Sequence, residues 1–315
     1  MHIPIVYVII GMLTLILGAD FLVRGSVGLA NRFRVRPLII GLTIVAFGTS
    51  APELAVSIKA ALAGQGDVAA GNVIGSNIFN IAVILGLSAM VIPLSIHLRL
   101  LGFEIPLMIG VSLVGVVMLA NQWLSRWEGI ILFGGIIGYT VYTIWSARNE
   151  ESEVDQITQN SLPSPPCRLW VDVLLIVVGL FALVFGAKWI VKGAIDLARM
   201  LNVSEAIIGL TIVAAGTSLP ELATSLSAAS KRQTDIAVGN IVGSNIFNIL
   251  SILGLSAVIR PFRTSNLEMY DLVVMMIFAV VLLPFARSGF KLSRMEGCVM
   301  FFGYIGYVVF RLLQE

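Results

Sequence analysis

The sequence predicts an all-α, polytopic membrane protein of ten transmembrane helices in two inverted-topology five-helix repeats, and three observations predict it. Of its 315 residues 58% are hydrophobic and 12% charged, about half the charged share of an ordinary soluble domain. The apolar residues fall into ten runs, each close to the ~20 residues that carry a helix across hydrocarbon. Finally, the chain matches itself at an offset of 168 positions, with five runs in each copy. Five is odd, so the second copy begins on the opposite side of the membrane from the first.

The same composition excludes several classes. Net charge is +2 and no basic tract with interleaved aromatics occurs, so no nucleic acid is expected as a partner. Cys167 lies in a polar stretch and Cys298 in an apolar one, which leaves no disulfide framework and no thiolate metal site. No cofactor and no obligate protein partner is called for; the lipid bilayer is the surrounding. The first run lacks a basic leader and is too long for a cleaved signal, so it reads as a retained helix.

Taken in order, the runs lie near 4–23, 37–62, 69–91, 100–120 and 127–146, then 171–191, 205–229, 236–259, 268–286 and 295–313. Residues 1–146 form the first repeat and 170–315 the second. Between them, 147–169 carries Glu150, Glu151, Glu153 and Asp155 and then Pro163, Pro165 and Pro166, a composition that buries no core and reads as a linker. Residues 41–93 align with 209–261 without a gap, and 35 of those 53 pairs are identical. Ser125 to Gly129 likewise meets Ser293 to Gly297. Twelve of the twenty Lys and Arg fall at one set of segment ends, which favours a cell-membrane protein with both termini outside and the linker cytoplasmic.

The second run contains Gly48-Thr49-Ser50-Ala51-Pro52-Glu53, and the seventh contains Gly216-Thr217-Ser218-Leu219-Pro220-Glu221. Proline donates no amide hydrogen bond and disfavours helix in the residue before it, so each run should break ahead of the proline and restart there. The break frees backbone carbonyls, among them those of Ala46, Phe47 and Thr49, and leaves the glutamate in the first turn of a half-helix. A carboxylate at that depth costs roughly 2.5–3.5 kcal/mol unless something compensates it. A competing reading makes Ser50-x-x-Glu53 a capping box that ties the glutamate to its own helix end.

The third run reads Gly71-Asn72-Val73-Ile74-Gly75-Ser76-Asn77-Ile78-Phe79-Asn80. Asn72, Ser76 and Asn80 are spaced by four and form one polar stripe; Gly71 and Gly75 are spaced for close helix approach. Asn240, Ser244 and Asn248, with Gly239 and Gly243, repeat the pattern. The stripe alone reads equally as hydrogen bonding between helices. Beside two carboxylates and freed carbonyls it completes an all-oxygen set, which suits hard cations such as calcium and sodium.

G-T-S-x-P-E followed by G-N-x-x-G-S-N-I-F-N, present twice in ten segments, resembles the two alpha repeats of the cation/calcium antiporter superfamily, sodium/calcium exchanger branch. The resemblance covers essentially the whole chain. It implies an antiporter, not an enzyme, that exchanges sodium for calcium by alternating access, with these two ions as its partners. It also implies that Glu53 and Glu221 bind calcium. Thr49, Ser50, Ser76 and Asn80 with Thr217, Ser218, Ser244 and Asn248 would complete the calcium and sodium sites, helped by the Ala46 and Ala214 carbonyls. The large regulatory insert of animal members has no counterpart in the short linker. Potassium-dependent members typically carry Asp where Asn248 stands, so exchange without potassium is expected unless a segment-end carboxylate such as Glu104 or Asp271 substitutes.

Three rival readings remain. A proton-coupled exchanger would use the same glutamates, but that branch usually places an acidic residue after a G-N-A-T type motif, where this chain has apolar residues. An intramembrane hydrolase built on Ser50 or Ser218 needs a base, and no segment interior holds a His. A passive channel could use the same ligands and is separated by counter-ion dependence.

Overall fold

The computed structural model describes residues 2–157, 168–201, 214–265 and 267–314. The protein is almost wholly helical. Its first helix, α1 (His2–Arg32), runs well past the apolar segment that starts it, because nothing breaks the helix until Pro37 forces Arg36 into extended backbone (φ −65°, ψ 141°). α2 (Pro37–Ile40), a π-turn at Gly41–Val45 and α3 (Ala46–Thr49) follow, then α4 (Ala51–Leu62), bent by 45° from its predecessor. α5 (Gly66–Phe79) continues through a second π-turn into α6 (Gly86–Val91). α7 (Ile105–Leu119) and α8 (Arg126–Ile157) complete the first half. α8 extends eleven residues beyond the expected end at 146, because the polar residues that follow are good helix formers. Residues 158–167, including Ser161, lie outside the described residues.

The second half opens with α9 (Leu169–Met200) and repeats the scheme: α10 (Ala214–Thr217), α11 (Leu219–Ser230), α12 (Thr234–Phe247), α13 (Gly254–Ile259), α14 (Met269–Arg287) and α15 (Arg294–Gln314). The expected start of the seventh segment, 205–213, lies outside the described residues. Among those described, seven helices are long and apolar enough to cross a membrane, and the bent α2–α4 unit makes an eighth.

Pairs of small residues bring the halves together. A Cβ added at Gly11 would stand 2.8 Å from the Gly186 carbonyl oxygen, one at Gly18 2.9 Å from that of Gly179, and one at Gly25 2.7 Å from that of Asp172. Numbers rise along α1 as they fall along α9, so these equivalent helices run antiparallel, in near backbone contact that only glycine permits. Arg32 closes one end of this pair on Asp172 at 3.2 Å. Gly129 meets Gly254 across α8 and α13, and Gly86 meets Gly297 across α6 and α15. Gly239 and Gly243 abut Leu38, Leu42 and Ala46 as their spacing predicts; Gly71 and Gly75 have no such neighbour among the described residues.

Two short antiparallel ladders repeat the exchange. β1 (Leu94–Ser95) pairs with β4 (Lys291–Leu292), and β2 (Trp123–Leu124) with β3 (Phe262–Arg263). Strands equivalent by the 168-residue offset, β1 with β3 and β2 with β4, never pair with each other. At the centre lie α5 and α12. Within the span from Thr234 to Ile259 an 18-residue apolar stretch is 89% buried inside the protein, against 28% for the corresponding stretch of α1, so α12 is enclosed by other helices rather than by lipid.

Candidate cation site

Each half breaks a helix at a serine. Ser50 separates α3 from α4 at φ −82°, ψ 5°, and Ser218 separates α10 from α11 at φ −87°, ψ 7°. Both sit in the sparsely populated bridge region. Pro52 and Pro220 are the cause, since neither offers an N–H to the carbonyl four residues back and the ring crowds that carbonyl. The helices restart at Ala51 and Leu219, one residue ahead of the expected point, with proline second in each.

Glu53 and Glu221 are each about 1% exposed. Neither forms the capping box. Ser50 Oγ instead donates to Glu221 Oε1 at 2.8 Å, and Ser218 Oγ donates to Glu53 Oε1 at 3.0 Å. Each serine therefore serves the carboxylate of the other half. Ser218 Oγ also lies 3.4 Å from Ser76 Oγ, Thr217 reaches Glu53, and the two carboxylates are close enough to repel one another. Thr49 Oγ1 donates to Asn240 Oδ1 at 3.1 Å.

Other buried oxygens are left unpaired. Glu53 Oε2, Glu221 Oε2, Ser244 Oγ, Asn80 Oδ1 and Asn248 Oδ1 are buried with no hydrogen-bond partner among the described residues. Buried acceptors are nearly always satisfied, and an uncompensated buried carboxylate costs several kcal/mol. One unpaired carboxylate oxygen in each half is the kind of buried acceptor that a positive charge would satisfy.

Two expectations are revised. The Ala46 carbonyl is not freed by the break, for it accepts the Ser50 amide at 3.1 Å. Ala214 begins α10 beside residues outside the described set. The polar stripe also divides. Asn72 Nδ2 donates to Ser57 Oγ at 2.9 Å and to the Glu53 carbonyl at 3.2 Å, and Asn240 Nδ2 donates to Ser225 Oγ at 3.0 Å. Asn72 and Asn240 thus tie helices together, while Ser76 lies beside Ser218, the serine that bonds Glu53, and Asn248 bonds Asn77.

Sequence reasoning missed Ser57 and Ser225, although both stand four residues after a glutamate and 168 apart. It also missed the π-turns at Asn80–Leu85 and Asn248–Leu253, which begin at the two asparagines; such turns gather at functional sites. Glu104 is engaged elsewhere, by Tyr139 Oη at 2.9 Å and Arg99 Nε at 3.3 Å. Asp271 takes Tyr307 Oη at 2.7 Å. Among the described residues no cluster of three or more His, Cys, Asp or Glu could hold a metal.

A polytopic helical protein whose repeated halves bury two carboxylates, each hydrogen-bonded to a serine of the other half, is, in class, an ion transporter. The particular family follows from comparison: the chain belongs to the sodium/calcium exchanger family, whose model, described as sodium/calcium exchanger protein, matches residues 3–145 and again 171–313. The chain is 30% identical to sodium/calcium exchanger MaX1 of Methanosarcina acetivorans over 96% of each protein. It is 40% identical to the inner membrane protein YrbG of Escherichia coli strain K12 over 89% of this chain and 88% of the relative. A solved structure of the sodium-calcium exchanger NCX_Mj, soaked with 10 mM Na+ and 10 mM Sr2+, superposes with a TM-score of 0.85 at 30% identity, covering 98% of both chains.

Proposed function

We propose that the protein exchanges sodium for calcium across the cell membrane by alternating access, through one central site shared by its two halves. The observation that carries this reading is the pair of buried carboxylates, each with one oxygen hydrogen-bonded to the opposite half and one without a partner. Calcium takes about six to eight oxygens at ~2.3–2.6 Å. Glu53 and Glu221 supply the charge, Asn80 and Asn248 the amide oxygens, and Ser50, Ser218, Ser76, Ser244, Thr49 and Thr217 the hydroxyls. The Ala214 carbonyl, and that of Ala46 once its present donor moves, would add to the sodium positions.

Exchange follows from charge. Two carboxylates balance one calcium or an equal charge of sodium, so holding both loads leaves excess positive charge in a low-dielectric interior. An empty site leaves two unbalanced carboxylates, which opposes crossing without a load.

The topology we propose is ten crossings in inverted halves, with both termini outside and the linker cytoplasmic. Antiparallel contact between the equivalent helices α1 and α9 supports it, as do the exchanged strand pairs. An axis relating antiparallel equivalents lies across the helices, in the membrane plane, which gives two access states by exchange of halves.

The test is calcium uptake into sodium-loaded proteoliposomes with sodium, proton or potassium gradients imposed in turn. Uptake driven by the outward sodium gradient and absent without it is the expected result. Uptake that follows the proton gradient alone would favour the proton-coupled reading, and uptake needing no counter-ion a channel.

A further inference from the structure

Asn248 and Asn80 are side-chain amides, and an amide can bind a cation only with its oxygen. Its nitrogen end has nearly the same shape and the opposite polarity. Something must therefore fix which end faces the site.

For Asn248 a chain of hydrogen bonds does so. The Asn245 backbone carbonyl can only accept, and Asn77 Nδ2 donates to it at 3.3 Å, with the Met275 sulfur, a weak acceptor, at 4.0 Å from the same nitrogen. Asn77 must then turn Oδ1 the other way, where it accepts from Asn248 Nδ2 at 2.9 Å. With its nitrogen held, Asn248 points Oδ1 away, and that atom is buried without a partner among the described residues. Asn77 is 0% and Asn248 1% exposed, so water is not at hand to replace either bond.

We infer that Asn77, from the first half, is a positioning residue that locks the amide of Asn248, in the second half, with its oxygen toward the cation. This rests on the reading of Asn248 as a cation ligand. Asn77 itself touches no ion. Its polarity descends from a main-chain carbonyl, so the lock holds as long as α5 and α12 stay in register. Without it the Asn248 amide is free to invert and present an N–H₂ to a positive charge.

The experiment is a calcium titration, with transport measured in parallel, of Asn77→Leu in two backgrounds, native and Asn248→Asp. Removing an outer-shell partner of a metal ligand typically costs about 10–100-fold in affinity, and that loss is expected in the native background with the rate at saturating calcium little changed. An aspartate at 248 presents oxygen from either end, so there Asn77→Leu is expected to cost less than about threefold. Equal losses in the two backgrounds, or no loss in the native one, would overturn the inference and leave Asn77 a packing residue. Asn77→Ala in the same two backgrounds carries the comparison if the leucine variant does not fold. Asn248→Ala is the separate control: unchanged calcium and sodium half-saturation would remove Asn248 from the site and defeat the reading beneath the inference.

Discussion

From Glu53 to Asn80 and from Glu221 to Asn248 the chain writes nearly the same sentence twice, yet the two copies do not hold the same contacts. Asn248 Nδ2 bonds Asn77 Oδ1 at 2.9 Å; the equivalent atoms, Asn80 Nδ2 and Asn245 Oδ1, are buried and both lack a partner among the described residues. Ser218 contacts Glu53 and Ser76, whereas Ser50 contacts Glu221. Lys231, at the end of α11, pairs with Asp20 on α1; the positions equivalent by the repeat offset are Ala63 and Lys188, which cannot form such a pair. Near-identical sequences in two arrangements teach that both arrangements are close in energy. A transporter that alternates needs that property, since exchanging the arrangements of its halves produces the second state.

The largest expected effects test where the halves are equal. Glu53→Gln and Glu221→Gln should each lower sodium-driven calcium uptake by at least ~100-fold, because breaking a buried charge set costs about 3–5 kcal/mol. A variant that keeps near-native uptake would break the equivalence. Next come the serines. Ser50→Ala and Ser218→Ala each remove a hydrogen bond to a buried carboxylate, worth about 1.5–3 kcal/mol, so calcium half-saturation should rise at least ~10-fold. The rise should be larger for Ser218, which serves two oxygens, and a double-mutant cycle should couple Ser218 to Glu53 rather than to Glu221. Smaller still is Asp20→Asn. Its pair with Lys231 is partly exposed and worth about 0.2–1 kcal/mol. The ratio of half-saturation constants on the two membrane faces should move by up to ~5-fold, and an unmoved ratio would remove the pair from the difference between the halves. The last expected effect is none: replacing potassium by choline on both sides should leave uptake unchanged, because Glu104 and Asp271 are held by Tyr139 and Tyr307. Activity that returned only with potassium would require a third carboxylate.

Much of this was legible in the sequence because membrane burial makes polar residues conspicuous. Glu53 and Glu221 stood out as carboxylates in apolar runs, and the prolines located both helix breaks to within a residue. The limits are equally specific. Ser-x-x-Glu occurs five times, at Ser50, Ser125, Ser218, Ser265 and Ser293. Ser125 and Ser293 do form capping boxes, with Glu128 and Glu296 accepting their backbone amides at 2.8 and 2.7 Å. Ser50 and Ser218 do not, because the repeat brings the opposite carboxylate within reach, and no local pattern contains that partner. The division of the stripe at Asn72 had the same cause: which asparagine meets Ser57 and which meets Asn77 depends on helix packing, and the π-turns at Asn80 and Asn248 carry no residue signature.

The central claim is that two halves build one site, not one site each. Equilibrium calcium binding to the purified protein tests it most directly, with stoichiometry compared among native chain, Glu53→Gln and Glu221→Gln. The account predicts one sodium-displaceable calcium per chain, lost entirely in either variant; two calcium ions falling to one in each variant would contradict it.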